Sequence, residues 1–162
     1  MTLNTAQYQG RIFDLLVLRG AKPIGDVLLS QTVFGPDSSG EICTGAQMLA
    51  QRWALEFLTV TGSMTFLPDR GCDFMIAFYR GALRSELDVT QAFLAAEAQI
   101  RLNLRAEETD AMNPEERYDS AELLGVTISP EAVSLRVNIV SLAGNARVII
   151  LPISVLPIRT VA

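Results

Sequence analysis

The chain is expected to fold as an α+β domain, on three observations. Two stretches in its middle repeat apolar residues at steps of three and four. The last third switches to alternation of period two, and Gly/Pro/Asn clusters separate the two kinds of segment. Runs of helix followed by runs of strand favour segregated layers over a βαβ wind. The expected arrangement is two main helices packed on a small antiparallel C-terminal β-meander, preceded by an N-terminal β-rich arm or hairpin. The boundaries are residues 1–40 for the arm and 41–162 for the α+β domain.

The arm rests on two short apolar runs, Arg11–Leu18 and Asp26–Phe34, around the turn Lys22-Pro23-Ile24-Gly25. The first helix is carried by Ala46, Leu49, Ala50, Trp53 and Phe57, with Thr44 as N-cap and Gly62 beyond its end. Trp53 falls within that stripe and is assigned to the core rather than to a partner surface. Pro68-Asp69-Arg70-Gly71 has the composition of a β-turn, with Arg70 read as a solvated turn charge. Asp73–Tyr79 reads as a short buried helix ended by Gly81. The second long helix has Ser85 or Asp88 as its cap and Val89, Phe93, Ala96, Ile100 and Leu104 as its stripe. Glu97 and Arg101 lie off that stripe, four apart with the acid first, the favourable order for a helical ion pair. After a polar break, Glu122–Ile128, Val133–Ser141 and Arg147–Leu156 read as three strands. The turn Ser129-Pro130-Glu131 and the loop Leu142–Asn145 join them. The third strand is apolar on both faces, so it needs cover on both faces or a neighbour along its edge.

Composition narrows the functions. The 162 residues are enough for folding to bury roughly 70% of the unfolded chain's surface. A hydrophobic content of 49% with 19% charged residues leaves apolar surface for partners to cover. Net charge is −5 with no basic stripe, which argues against nucleic acid. Apolar runs such as Val148–Ile153 fall short of the ~20 residues a bilayer requires, so no membrane partner is expected. Arg11 and Asp14 interrupt the N-terminal apolar stretch and count against a signal peptide. Cys43 and Cys72 form no CxxC pair and are read as two reduced, packed thiols, with a disulfide as the alternative. With no histidine, Ser-His-Asp triads, Cys-His dyads and most zinc chemistry are excluded. No cofactor, metal or catalytic residue is assigned.

The segment Gly45–Gly71, GAQMLAQRWALEFLTVTGSMTFLPDRG, carries Leu58-Thr59, Gly62-Ser63, Pro68 and Gly71. It resembles the "helix, L-T-x-x-G-[ES], short gap, P-x-x-G" signature of the sheath initiators, short baseplate-wedge proteins of contractile-tailed phages. The resemblance extends over about residues 40–156 and rests on the order of short motifs. A Glu-Pro-Arg motif ahead of the strands docks such proteins on the baseplate core bundle. Here the stretch reads Pro114-Glu115-Glu116-Arg117-Tyr118, with the proline ahead of the acids. The resemblance implies a non-enzymatic virion protein of the tail baseplate, made in the host cytoplasm and present in six copies around the tail axis. Its partners would be baseplate wedge proteins and the tail sheath protein. Glu115, Glu116 and Arg117 would dock it. The strand of Arg147, Val148, Ile149, Ile150, Leu151, Ile153 and Val155 would meet the first sheath ring, with Val133–Ser141 inside it.

The alternative function is a lysozyme-like cell-wall hydrolase using paired carboxylates. Its candidates are Glu56, Glu86 and Glu97, expected on solvated helix surfaces, and the loop pairs Glu107/Glu108 and Glu115/Glu116.

Overall fold

A computed structural model describes residues 14–15, 18–20, 26–29, 42–129 and 132–154. Strands β1 (Asp14–Leu15), β2 (Leu18–Gly20), β3 (Asp26–Leu29) and β4 (Ile42–Cys43) come first. Helices α1 (Gly45–Leu58), α2 (Phe74–Tyr79) and α3 (Glu86–Glu107) follow. A 3-10 turn at Pro114–Glu116 then leads into β5 (Tyr118–Ser129), β6 (Ala132–Ser141) and β7 (Ala146–Ser154). The fold is α+β, as the change of periodicity implied.

Helix α1 forms because Met48, Leu49, Trp53 and Phe57 bury one face completely. Trp53 stacks on Phe57 at 5.1 Å between ring centroids, Phe57 meets Phe74 of α2 at 4.7 Å, and Phe93 of α3 lies 6.0 Å from each of Trp53 and Phe57. These tilted and stacked aromatics join the three helices in one cluster, so Trp53 is a core residue. Ser85 and Asp88 cap α3 jointly. The Ser85 hydroxyl accepts from the Asp88 amide at 3.2 Å, and the Asp88 carboxylate accepts from the Ser85 amide at 3.0 Å. Helix α3 is 22 residues, about 33 Å, and lays Val89, Phe93, Ile100 and Leu104 on the same core.

The strands alternate as their sequence alternates. Val133, Leu135, Val137 and Ile139 of β6, with Ile149, Leu151 and Ile153 of β7, are buried against the helices. Val148 and Ile150 face the other way and are half-buried. β5, β6 and β7 form the expected antiparallel meander. β5 begins at Tyr118, four residues ahead of the Glu122 read from the sequence. Residues 130–131, which the sequence assigns to the β5–β6 turn, lie outside the described residues.

The sheet is larger than a meander. Its order is β2-β3-β7-β6-β5, and β1 pairs with β4 in a separate two-stranded ribbon. β2 and β3 pair antiparallel; residues 22–25, which the sequence assigns to a turn between them, lie outside the described residues. β3 then runs parallel to β7, with Asp26 opposite Val148, Val27 opposite Ile149 and Leu28 opposite Ile150. β7 therefore has a neighbour on each side. The expectation that Arg147–Leu156 is the outermost strand is corrected: it is the central strand, because part of the N-terminal arm covers its far edge. Among the described residues the outermost strands are β5 and β2.

Candidate functional site

Three groups of polar residues stand out around the helices, and the sequence had placed Glu56, Arg70 and Glu97 among them in solvent. The first joins the end of α1 to the Pro68–Gly71 turn. Glu56 is only 6% exposed. Its carboxylate receives the Arg70 guanidinium, the Gly71 amide at 2.9 Å and the Asn103 amide at 3.3 Å. Arg70 also reaches Glu107, which in turn accepts from Arg52 at 3.0 Å. Arg70 is thus a clamp between α1, the turn and the end of α3 rather than a solvated charge. A buried carboxylate is stable only when its lone pairs are taken up in this way. The same contacts give the L-T-x-x-G-S … P-x-x-G spacing a physical basis. The Thr59 carbonyl accepts from the Cys72 amide at 2.9 Å, and the Pro68 carbonyl accepts from the Gly62 amide at 2.9 Å. Gly71 has φ +91°, and a Cβ there would lie 2.3 Å from the Thr59 oxygen. Only glycine fits that position.

The second group pins β5 to α3. Tyr118 is wholly buried, and its hydroxyl donates to Glu97 at 2.7 Å. Arg101 donates to the same oxygen from Nε at 3.0 Å and Nη2 at 2.8 Å. Burial first, and then the Glu97 carboxylate, push the Tyr118 phenol far above its ordinary pKa. The Trp53 indole lies beside the phenol, near enough to moderate that shift but outside hydrogen-bond geometry. The Tyr118 amide donates to Glu108 at 2.6 Å. Sequence periodicity found the Glu97–Arg101 pair but not its burial, since the partner is an aromatic 21 residues away.

The third group contains the expected docking residues. Glu116 is fully buried, and its carboxylate accepts from the Gly45 amide at 3.1 Å. Thr44 occupies the N-cap position of α1, but its side chain makes no capping hydrogen bond; Glu116, 71 residues beyond Gly45, contributes an acceptor instead. Its place among the docking residues is therefore corrected: it faces inward and holds α1. Glu115 and Arg117 flank it and are half-buried. Glu115 lines a depression of about 330 Å³ between the start of α1 and the β6–β7 loop, which Arg147 also lines. Arg117 pairs with exposed Asp110 at 3.2 Å and lines a second depression of about 280 Å³ with Arg105, Glu108 and Leu142. The Arg117 and Pro114 carbonyls accept from the Leu142 and Ala143 amides at 3.0 and 3.2 Å. The Pro114–Arg117 segment therefore braces the β6–β7 loop, and one docking candidate, Glu115, comes together with the first residue of the expected sheath strand.

Of that strand, Arg147 is exposed near the loop. Ile149, Leu151 and Ile153 are committed to the core and Val148 and Ile150 to the opposite face. Val155 lies outside the described residues. The strand at the sheet's edge is instead β5, whose residues from Glu122 onward are half-buried or exposed. Its register to β6 shifts at Tyr118/Ser120 and at Leu123/Gly125, then runs without interruption from Gly125 to Ser129.

Of the carboxylates proposed for hydrolysis, no two line the same one of the three depressions described between the elements. Glu86 is exposed, whereas Glu56 and Glu97, expected in solvent, are buried and each held by an arginine. Among the described residues no cluster of three or more acidic or thiol groups is placed to hold a metal ion, and no helix is long and apolar enough to cross a membrane. Cys43 and Cys72 are unpaired and buried, in line with reduced packed thiols. No family model, curated protein or solved structure matches the chain.

Proposed function

We propose that this chain is a structural subunit of a contractile-tail baseplate that docks on wedge proteins and starts the sheath by strand addition. The observation that carries the reading is the outer edge of β5, with which no strand pairs among the described residues, at the end of a sheet braced by two helices. An edge strand presents a row of main-chain donors and acceptors, which gives affinity to an added strand while side-chain pockets give register. The regular run Gly125–Ser129 is the acceptor, since the bulges before it twist the rest of β5 out of a plain ladder. The motif order of residues 45–71 supports the same assignment, because it builds the clamped turn that locks α1 against α3. Docking falls to Glu115, Arg117 and Arg147, whose side chains surround the braced loop.

The test is seeded polymerisation. The chain is mixed with a contractile-tail sheath protein, and sheath growth is followed by electron microscopy and light scattering. Wild-type chain is expected to shorten the lag, and Thr127→Pro or Val126→Pro to abolish seeding while leaving the helical signal intact. Sheath growth that ignores the wild-type chain, or proline variants that seed normally, would refute strand addition at β5.

A further inference from the structure

The surface remote from the sheet carries a feature that neither docking nor strand addition uses. Between α2 and α3 runs a groove of about 390 Å³. Buried Phe74 forms its floor, Ala77 and Ala92 are half-buried in its walls, and Ala95 is open to solvent. Small side chains on both helices let another backbone approach closely. Asp69 and Asp73 are exposed among its lining residues, which include no basic side chain.

The end of the groove near Thr61 and Asp69 is also the base of loop 62–68. That loop is strongly apolar yet unburied: Phe66 is 95% exposed, Leu67 52% and Met64 44%. It is nevertheless fixed. The Gly62 amide donates to the Pro68 carbonyl at 2.9 Å, Ser63 to Val60 at 3.0 Å, Leu67 to Met64 at 3.2 Å and Arg70 to Leu67 at 3.1 Å. The Glu56–Arg70 clamp anchors its base. An exposed aromatic on a pre-ordered loop is the composition of a binding anchor, because little ordering entropy is left to lose on contact.

We propose that this groove and loop receive an amphipathic helix of another protein, one that carries a lysine or arginine beside its apolar face. A helix matches a trough between two helices, and its aliphatic side chains fit over the alanines. The fixed loop at that end offers Phe66 as a further apolar contact. Charge selects the occupant: Asp69 and Asp73 attract a cation on the incoming helix. The same charges repel a second copy of this acidic chain, whose net charge is −5. The inference is independent of strand addition, since it uses neither β5 nor the Glu115–Arg117 segment.

The experiment is selection of a displayed library of helix-forming peptides, randomised on one face and both flanks, against the full chain. Enriched peptides are expected to combine aliphatic faces with lysine or arginine on a flank. They should bind at least tenfold more weakly to Ala95→Trp, which fills an open position of the groove, and to the Asp69→Asn/Asp73→Asn double variant. Both variants should keep the wild-type melting curve. The proposal is overturned by no enrichment, by acidic or neutral flanks, or by peptides that bind Ala95→Trp undiminished. It is equally overturned by a dimer in sedimentation that Phe66→Ser dissociates, or by photo-crosslinks from position 95 into residues 155–162 of the same chain.

Discussion

Replacing Gly71 by alanine tests the clamped turn most directly. At φ +91° an L-residue costs about 1–2 kcal/mol through its own Cβ. The added carbon would also sit 2.3 Å from the Thr59 carbonyl oxygen and 2.7 Å from its carbon, so the Thr59 backbone has to retreat. That retreat breaks the Cys72-to-Thr59 hydrogen bond and draws the Gly71 amide from the Glu56 carboxylate, both 2.9 Å long. A neutral backbone bond contributes about 1 kcal/mol and one to a buried charge about 1.5–3 kcal/mol. The expected loss is about 4–6 kcal/mol, which lowers the melting temperature by roughly 10–20 °C in a domain of this size. Gly62→Ala is the control. It has φ +80° with nothing within 4 Å of the added carbon, so only the backbone cost of about 1–2 kcal/mol applies. Urea unfolding of the two variants separates the steric part from the conformational part. If they differ by less than about 1 kcal/mol, the close approach of Gly71 to Thr59 does not hold the turn.

Four further outcomes are expected. Tyr118→Phe removes one donor from buried Glu97 and should cost about 2 kcal/mol in urea unfolding; a change below about 0.5 kcal/mol would show that Arg101 alone suffices. Glu116→Ala should destabilise by about 2 kcal/mol through the open α1 terminus, while Glu115→Ala stays within about 0.5 kcal/mol; equal effects would contradict the inward role of Glu116. Burial raises the Cys43 and Cys72 thiols from 9.0 to about 11. A raised folded-state value gives stability that is complete below pH 9 and lost as pH climbs towards 11, on the order of 2 kcal/mol per thiol. Alkaline denaturation should flatten in Cys72→Ala, and native thiols should resist alkylation at pH 8. Incubation with purified peptidoglycan should release no new reducing ends; turnover abolished by Glu56→Gln or Glu97→Gln would restore the hydrolase reading.

The two long helices and the strand β6 were legible because their signals are local. Met48 to Phe57 and Val89 to Leu104 repeat at helical spacing, and Val133 to Ile139 alternate. What escaped depends on contacts far apart in the chain. β7 read as a free edge because its own residues say nothing of β3, more than a hundred positions earlier, lying parallel beside it. Glu56 and Glu97 lie off the apolar stripes, and periodicity assigns such positions to water. Their burial follows from Arg70 and Tyr118, which no spacing rule links to them. Glu116 was read outward because the stretch Pro114–Tyr118 resembles a Glu-Pro-Arg docking motif. The absence of a side-chain cap at Thr44 was the missing signal, and only the folded chain shows it.

The polar groups divide the molecule into a part that is fixed and a part that is available. Glu56 with Arg70, Glu97 with Tyr118, and Glu116 with Gly45 each join two elements that the apolar core alone would leave free to slide. Breaking one partner of such a buried pair costs more than its formation gains, so each acts as a register lock. Two of the locks converge on the segment from Glu116 to Tyr118, which starts β5. The far half of β5, from Gly125 to Ser129, is therefore presented by a strand whose root is immobilised at three points: Glu97, Glu108 and the α1 terminus. An acceptor strand benefits from that arrangement, because the ordering cost of its backbone has already been met before a partner strand arrives. If β5 accepts a sheath strand as proposed, Tyr118→Phe should weaken sheath seeding as well as stability, although Tyr118 is buried.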